Sequence, residues 1–113
     1  MKRILTVLAL GFVLMSFQII TTQVKIKVMN NLGKVEEGVR VRLYKTEEDY
    51  KSEKNMVEEH YTDAKGYVTF KNLDPIAYYI NAVKDNKNNY GNGEKTEPLK
   101  EKQINKMTVI IQE

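Results

Sequence analysis

Two five-residue runs alternate strictly between apolar and charged side chains: Val24-Lys25-Ile26-Lys27-Val28 and Val39-Arg40-Val41-Arg42-Leu43. Successive side chains of an extended strand point to opposite faces. A period of two therefore describes a strand with one buried and one wet face. The rest of the chain follows suit, because no helix-period segment of ten or more residues occurs after the first 22. Residues 57–62 predict a third strand. Tyr67-Val68-Thr69-Phe70 predicts a fourth, with Val68 and Phe70 on one face. Residues 78–83 predict a fifth, with Tyr78, Ile80 and Ala82 inward. Residues 107–111 predict a β-branched last strand, with Met107, Val109 and Ile111 inward.

The connections carry turn chemistry. Asn30, Asn31, Gly33 and Gly38 separate the first two strands, which form either an antiparallel pair or a crossover between sheets. Asp63-Ala64-Lys65-Gly66 is a tight turn with Gly66 suited to positive φ. Residues 45–55 are almost wholly polar and read as one or two helical turns anchored by Tyr50, or as a solvated loop. Residues 85–97 contain four Asn, two Gly and no aliphatic side chain, so they predict a long exposed loop. Six or seven short strands with regular turn signals point to a sandwich.

The first residues are of another kind. Lys2 and Arg3 precede an apolar run over residues 4–15, and Ser16 and Gln18 break it. That order is expected of a secretory signal peptide, with cleavage placed at Thr22/Gln23. The alternative is an uncleaved anchor: with Phe17, Ile19 and Ile20 the apolar stretch approaches ~17 residues, the lower edge of a spanning helix. The domain expectation is thus a signal peptide at 1–22 and one domain at 23–113. Loss of Lys2 and Arg3 leaves 16 basic against 15 acidic side chains, nearly neutral, so the pI of about 9.0 is no argument for nucleic acid. The chain has no cysteine. A lipoprotein anchor, a disulfide framework, four-cysteine zinc sites and thiol catalysis are therefore excluded, and the core alone must hold the domain.

The ordered motifs from Val24 to Val83 resemble the prealbumin-like sandwich modules, which include the carboxypeptidase regulatory-like domain and the B-type repeats of collagen adhesins. Asn30-Asn31-Leu32-Gly33 matches a D-x-x-G turn, and Glu37-Gly38-Val39-Arg40-Val41 matches G-A-x-V. Thr62-Asp63-Ala64-Lys65-Gly66-Tyr67-Val68-Thr69-Phe70 fits T-D-x-x-G-x-V-x-F. Leu73-Asp74-Pro75-Ile76-Ala77-Tyr78 fits L-x-P-G-x-Y with Ile76 in place of glycine. The resemblance implies an all-β, Ig-like or prealbumin-like sandwich of about seven mainly antiparallel strands after a signal-peptide helix. It also implies a domain without an active site of its own. The self-formed Lys–Asn bond of many adhesin repeats is not expected, because Val28 stands at the lysine position. The transthyretin-like hydrolases need several histidines and a C-terminal Tyr-Arg-Gly-Ser; this chain has only His60 and ends Ile110-Ile111-Gln112-Glu113.

No catalytic constellation, metal site or cofactor is expected. His60 stands beside Glu58 and Glu59 and reads as a solvated strand residue. Lys87 and Tyr90 interrupt any calcium-loop pattern in residues 85–94. Glu58 and Glu59 are strand neighbours and point to opposite faces, so they cannot act as a pair. Seven tyrosines and no tryptophan remain. Tyr61, Tyr67, Tyr79 and Tyr90 form the candidate binding surface, with Tyr61 and Tyr67 sharing a face across the tight turn. Tyrosine joins apolar area to a polar tip, which suits binding, although it is also simply a good strand residue. The expected role is a non-enzymatic exported protein-interaction or structural module of a bacterial envelope or surface; the alternative is a carbohydrate-binding module using exposed tyrosines. The expected partner is another envelope or surface protein, or a glycan. No nucleic acid is expected, and a membrane only with an uncleaved signal.

Overall fold

The alternation at residues 24–28 becomes the centre of an eight-residue strand, β1 (Gln23–Asn30), in a computed structural model that describes residues 20–113. The expected leader lies, up to residue 19, outside the described residues. Six further strands follow: β2 (Arg40–Tyr44), β3 (Glu58–Tyr61), β4 (Tyr67–Phe70), β5 (Tyr79–Lys84), β6 (Lys87–Asn88) and β7 (Ile104–Ile111). One short helix, α1 (Glu47–Ser52), resolves the ambiguity over residues 45–55. No helix among the described residues is long and apolar enough to cross a membrane.

The strands form two sheets, ordered β4-β1-β7 and β3-β2-β5-β6. All pairings are antiparallel except β1 with β7, which run parallel through eight register pairs from Gln23–Ile104 to Asn30–Ile111. The fold is therefore the expected all-β sandwich. The chain between β1 and β2 is a crossover. It first doubles back on β1, where Glu36 N–H donates to the Val28 carbonyl and Val35 bridges Met29, and then passes to the other sheet.

The core lies between the sheets. Val24, Ile26 and Val28 of β1 meet Val41 and Leu43 of β2, with Val68 and Phe70 of β4 and Ile80 and Ala82 of β5. Tyr78, Val109 and Ile111 complete the expected inward faces, and Met107 packs at the margin. Leu73 and Leu99, both outside strands, add to the same cluster. Val28 is fully buried, while Lys25 and Lys27 belong to the opposite, wet face.

Thr62 ties the sheets together. Its hydroxyl accepts from Val39 N–H at 2.9 Å and donates to the Glu36 carbonyl at 2.7 Å. Asp63 then shapes the following turn by accepting from Lys65 N–H and Tyr67 N–H, two bonds that hold its carboxyl below the ordinary carboxylate range. Thr22 is also part of the bonded domain. Its hydroxyl accepts from Lys102 N–H at 2.9 Å and its carbonyl from Leu73 N–H at 3.0 Å.

Residues 85–97 depart from the expected exposed loop. They hold β6 and two buried polar side chains, Asn89 and Thr96. Asn89 accepts from Ala82 N–H at 3.0 Å and donates to the Ile80 and Gly93 carbonyls at 2.9 and 3.0 Å. Thr96 accepts from Tyr78 N–H through its hydroxyl and donates its own N–H to the Tyr78 carbonyl. A buried backbone group needs a partner. Here two polar side chains from the Asn-rich segment supply what a longer neighbouring strand would otherwise give β5.

Candidate binding surfaces on the two sheet faces

The outer face of the four-stranded sheet carries the aromatic residues. Thr46 caps α1 by accepting Asp49 N–H at 3.1 Å, and acidic side chains fill its first turn, as suits a helix N-terminus. The helix lays Tyr50 over the outward side of β2 and β5. Tyr50 meets Tyr44 edge-on at 6.0 Å and stacks on Tyr79 at 5.8 Å. This cover explains why Tyr44, outward by strand alternation, is fully buried. The Tyr50 hydroxyl donates to Glu94 at 2.7 Å, and burial followed by that carboxylate pushes its phenol far above the ordinary value. Lys95 stands 5.1 Å from the Tyr79 ring centre. Tyr50, the anchor expected from sequence, is thus the organising residue of this face.

The four candidate tyrosines separate into different settings. Tyr79 is half-buried between Tyr50 and Lys95, so little of its ring is offered to a ligand. Tyr90 is 74% exposed and borders a concavity of about 260 Å³ with Tyr50, Lys51, Glu53 and Asn81. Tyr61 is 61% exposed on β3, opposite Arg40. Tyr67 lies on the other sheet, beneath Lys25. Tyr61 and Tyr67 therefore do not share a face. The turn between them is tight, but Thr62 bonds back to Val39 and Glu36 on one side, and β4 joins β1 on the other. Chain proximity across a turn implies a common face only when both strands join one sheet.

Several charged groups on the four-stranded side have partners. Arg42 binds Glu59, an ion pair that raises the guanidinium pKa, and the Arg40 guanidinium donates to Asn81 at 3.5 Å. Among the described residues, Arg40 Nε is buried without a hydrogen-bond partner, and the Tyr44 hydroxyl has the Arg42 guanidinium as its polar neighbour. At the end of the sandwich Glu36 accepts from Lys87 at 3.1 Å, Lys84 at 3.2 Å and Asn30 at 3.2 Å. Sequence reasoning did not single out Glu36, because its lysine partners come from the β5–β6 hairpin, remote from it in the chain. His60 is exposed. Its Nε2 lies 2.9 Å from a Glu58 carboxylate oxygen, and its ring centre lies 5.0 Å from that of Phe70. Among the described residues no three His, Cys, Asp or Glu side chains come together.

Solved structures share this fold, two of them as follows. The Bacillus anthracis TIE protein matches with a TM-score of 0.57 and 14% identity, over 82% of this chain and 16% of that one. The group B streptococcus pilus 2b backbone protein matches with a TM-score of 0.53 and 16% identity, over 80% of this chain and 40% of that one. The chain therefore spans less than half the length of either. No family model matches the chain, and no curated protein does. At such identities the likeness is one of fold. It supports an Ig-like or prealbumin-like sandwich of the kind found in these Gram-positive proteins, without selecting a family within it.

Proposed function

We propose that this chain is a non-enzymatic, exported β-sandwich that serves as a structural or interaction module at the surface of a bacterial cell. The observation that carries the reading is the fold match over four-fifths of the chain to a portion of a pilus backbone protein. The order of the motifs from Val24 to Val83 supports assignment to the prealbumin-like group, near the carboxypeptidase regulatory-like and collagen-adhesin B-type modules. The apolar leader supports export.

Cell fractionation with mass determination of the native N-terminus tests the proposal. Recovery in the envelope, on the surface or in the medium is the expected result. Recovery as a cytoplasmic protein with Met1 intact would overturn it.

A further inference from the structure

The outer face of the three-stranded sheet has a charge pattern unlike the rest of the molecule. Register sets Lys25 beside Lys106 and Thr69, and Lys27 beside Thr108 and Tyr67. None of β1, β4 and β7 contains an acidic residue. Among the described residues no ion pair engages these three lysines, and the carboxylate that feels Lys25 is Asp63, in the turn before β4, which spends its acceptors on Lys65 N–H and Tyr67 N–H.

Like charges on directly opposed strand positions disfavour the sheet. Lysine on an edge strand is commonly explained as protection against edge-to-edge association. That explanation does not reach Lys25 and Lys27, which stand on the central strand. The lysines are also held together. The Lys25 and Lys27 ammonium groups lie 4.3 and 5.9 Å from the centre of the single Tyr67 ring, within cation–π range. With Lys106, Met107 and Thr108 these residues line a concavity of about 250 Å³.

The donors define the ligand. Two ammonium groups, each a compact charge with three N–H bonds, share the Tyr67 ring, and a third lysine lines the same concavity with Thr108 and without arginine. A planar carboxylate is matched best by the planar guanidinium fork, whereas lysine serves phosphate as a point charge. We propose that this face binds a linear phosphate polymer, with one phosphoryl group seated among Lys25, Lys27 and Lys106 and its neighbours running along β1. This deepens the interaction-module reading by naming a partner class. Its test uses purified protein, so it succeeds or fails independently of where the protein resides.

The test is titration of the protein with inorganic polyphosphate, read by amide chemical shifts and by affinity at several salt concentrations. The expected shifts fall on β1, on Tyr67 and on residues 104–108. Affinity should decline with salt at a log–log slope of about 2–3, from three neutralised charges. Lys25→Ala, Lys27→Ala and Lys106→Ala should each weaken binding about two- to five-fold, as for exposed ion pairs. Lys54→Ala, at an exposed lysine between α1 and β3, should leave binding unchanged. The proposal is overturned if no shifts appear on this face or if Lys54→Ala weakens binding as much. Equal or tighter binding of poly-glutamate, which would make the partner an acidic polypeptide, would also overturn it.

Discussion

Replacing Gly66 with alanine isolates how tightly the crossover grips the core sheet. Gly66 has φ +80°, and a Cβ built there would lie 2.8 Å from the Val28 carbonyl oxygen and 2.9 Å from Val35 Cβ. Neither neighbour is free to yield. The Val28 carbonyl accepts Glu36 N–H, Val28 N–H donates to the Gly66 carbonyl at 2.8 Å, and Val35 is bridged to Met29. Gly33 supplies the control. Its φ of +81° is nearly the same, and nothing lies within 4 Å of its built Cβ. Left-handed backbone costs an L-residue roughly 1–2 kcal/mol, and Gly33→Ala should lose about that much. Gly66→Ala should lose the same plus an overpacking term of about 1–3 kcal/mol. Its total of about 2–5 kcal/mol is a large share of the 5–15 kcal/mol typical of native proteins.

Urea unfolding followed by tyrosine fluorescence measures both variants, and no tryptophan is present to mask the signal. The decisive quantity is the difference between them, since the backbone contribution cancels. If Gly66→Ala proves no worse than Gly33→Ala, the close approach of β1, the crossover and the turn is not a real constraint. The account of how the two sheets are joined would then be wrong.

Three further outcomes follow from the same structure. Asn89→Ala strands the Ala82 N–H and two carbonyls, and at about 1–3 kcal/mol per buried unsatisfied group, with water reaching the Gly93 side, it should cost about 2–4 kcal/mol in urea unfolding. The hydrogen bond from Lys87, helped by Asn30 and Lys84 and opposed by burial, holds the Glu36 carboxyl below its ordinary 4.5; its contribution is therefore complete above pH 4.5 and is lost as pH falls through the lower folded value. The stability gap between the native protein and Glu36→Gln, measured across that range, should close on acidification; a gap that widens refutes the ion cluster as its source. Finally, a chain beginning at Gln23 should melt at a lower temperature than one beginning at Thr21, because it lacks both Thr22 bonds to Lys102 and Leu73; equal melting temperatures would show that those bonds add nothing.

Much of the fold was legible because strand alternation is a local signal. The inward sets Val68 and Phe70, Tyr78 with Ile80 and Ala82, and Val109 with Ile111 all follow from counting by two. What sequence could not supply was set by distant parts of the chain. Asn89 has the composition of a loop residue, and only the bare backbone of β5 makes its amide a core group. Tyr44 is outward by alternation and buried because α1 lies over it. The basic face was half legible: Lys25 and Lys27 are two residues apart, but Lys106 joins them only because the first and last strands are parallel neighbours. The opposite fates of Tyr61 and Tyr67 have the same origin, since a turn does not reveal which sheet receives the next strand.

That parallel pairing also bears on how such a domain can sit within a larger structure. β1 begins beside the beginning of β7, and β7 ends beside the end of β1. The start of β1 and the end of β7 therefore lie at opposite ends of the sandwich. A pull through those two points runs along the strands, in opposite directions on adjacent strands. It loads the rungs of the eight-pair ladder together, in shear, where a hairpin pulled at its open end would lose them one at a time. Resistance to such a pull is set by the unfolding barrier more than by equilibrium stability. With no cysteine anywhere in the chain, no disulfide can share the load. The ladder between β1 and β7, backed by Ile26, Val28, Val109 and Ile111 in the core, is then the element on which tension between those two points would fall.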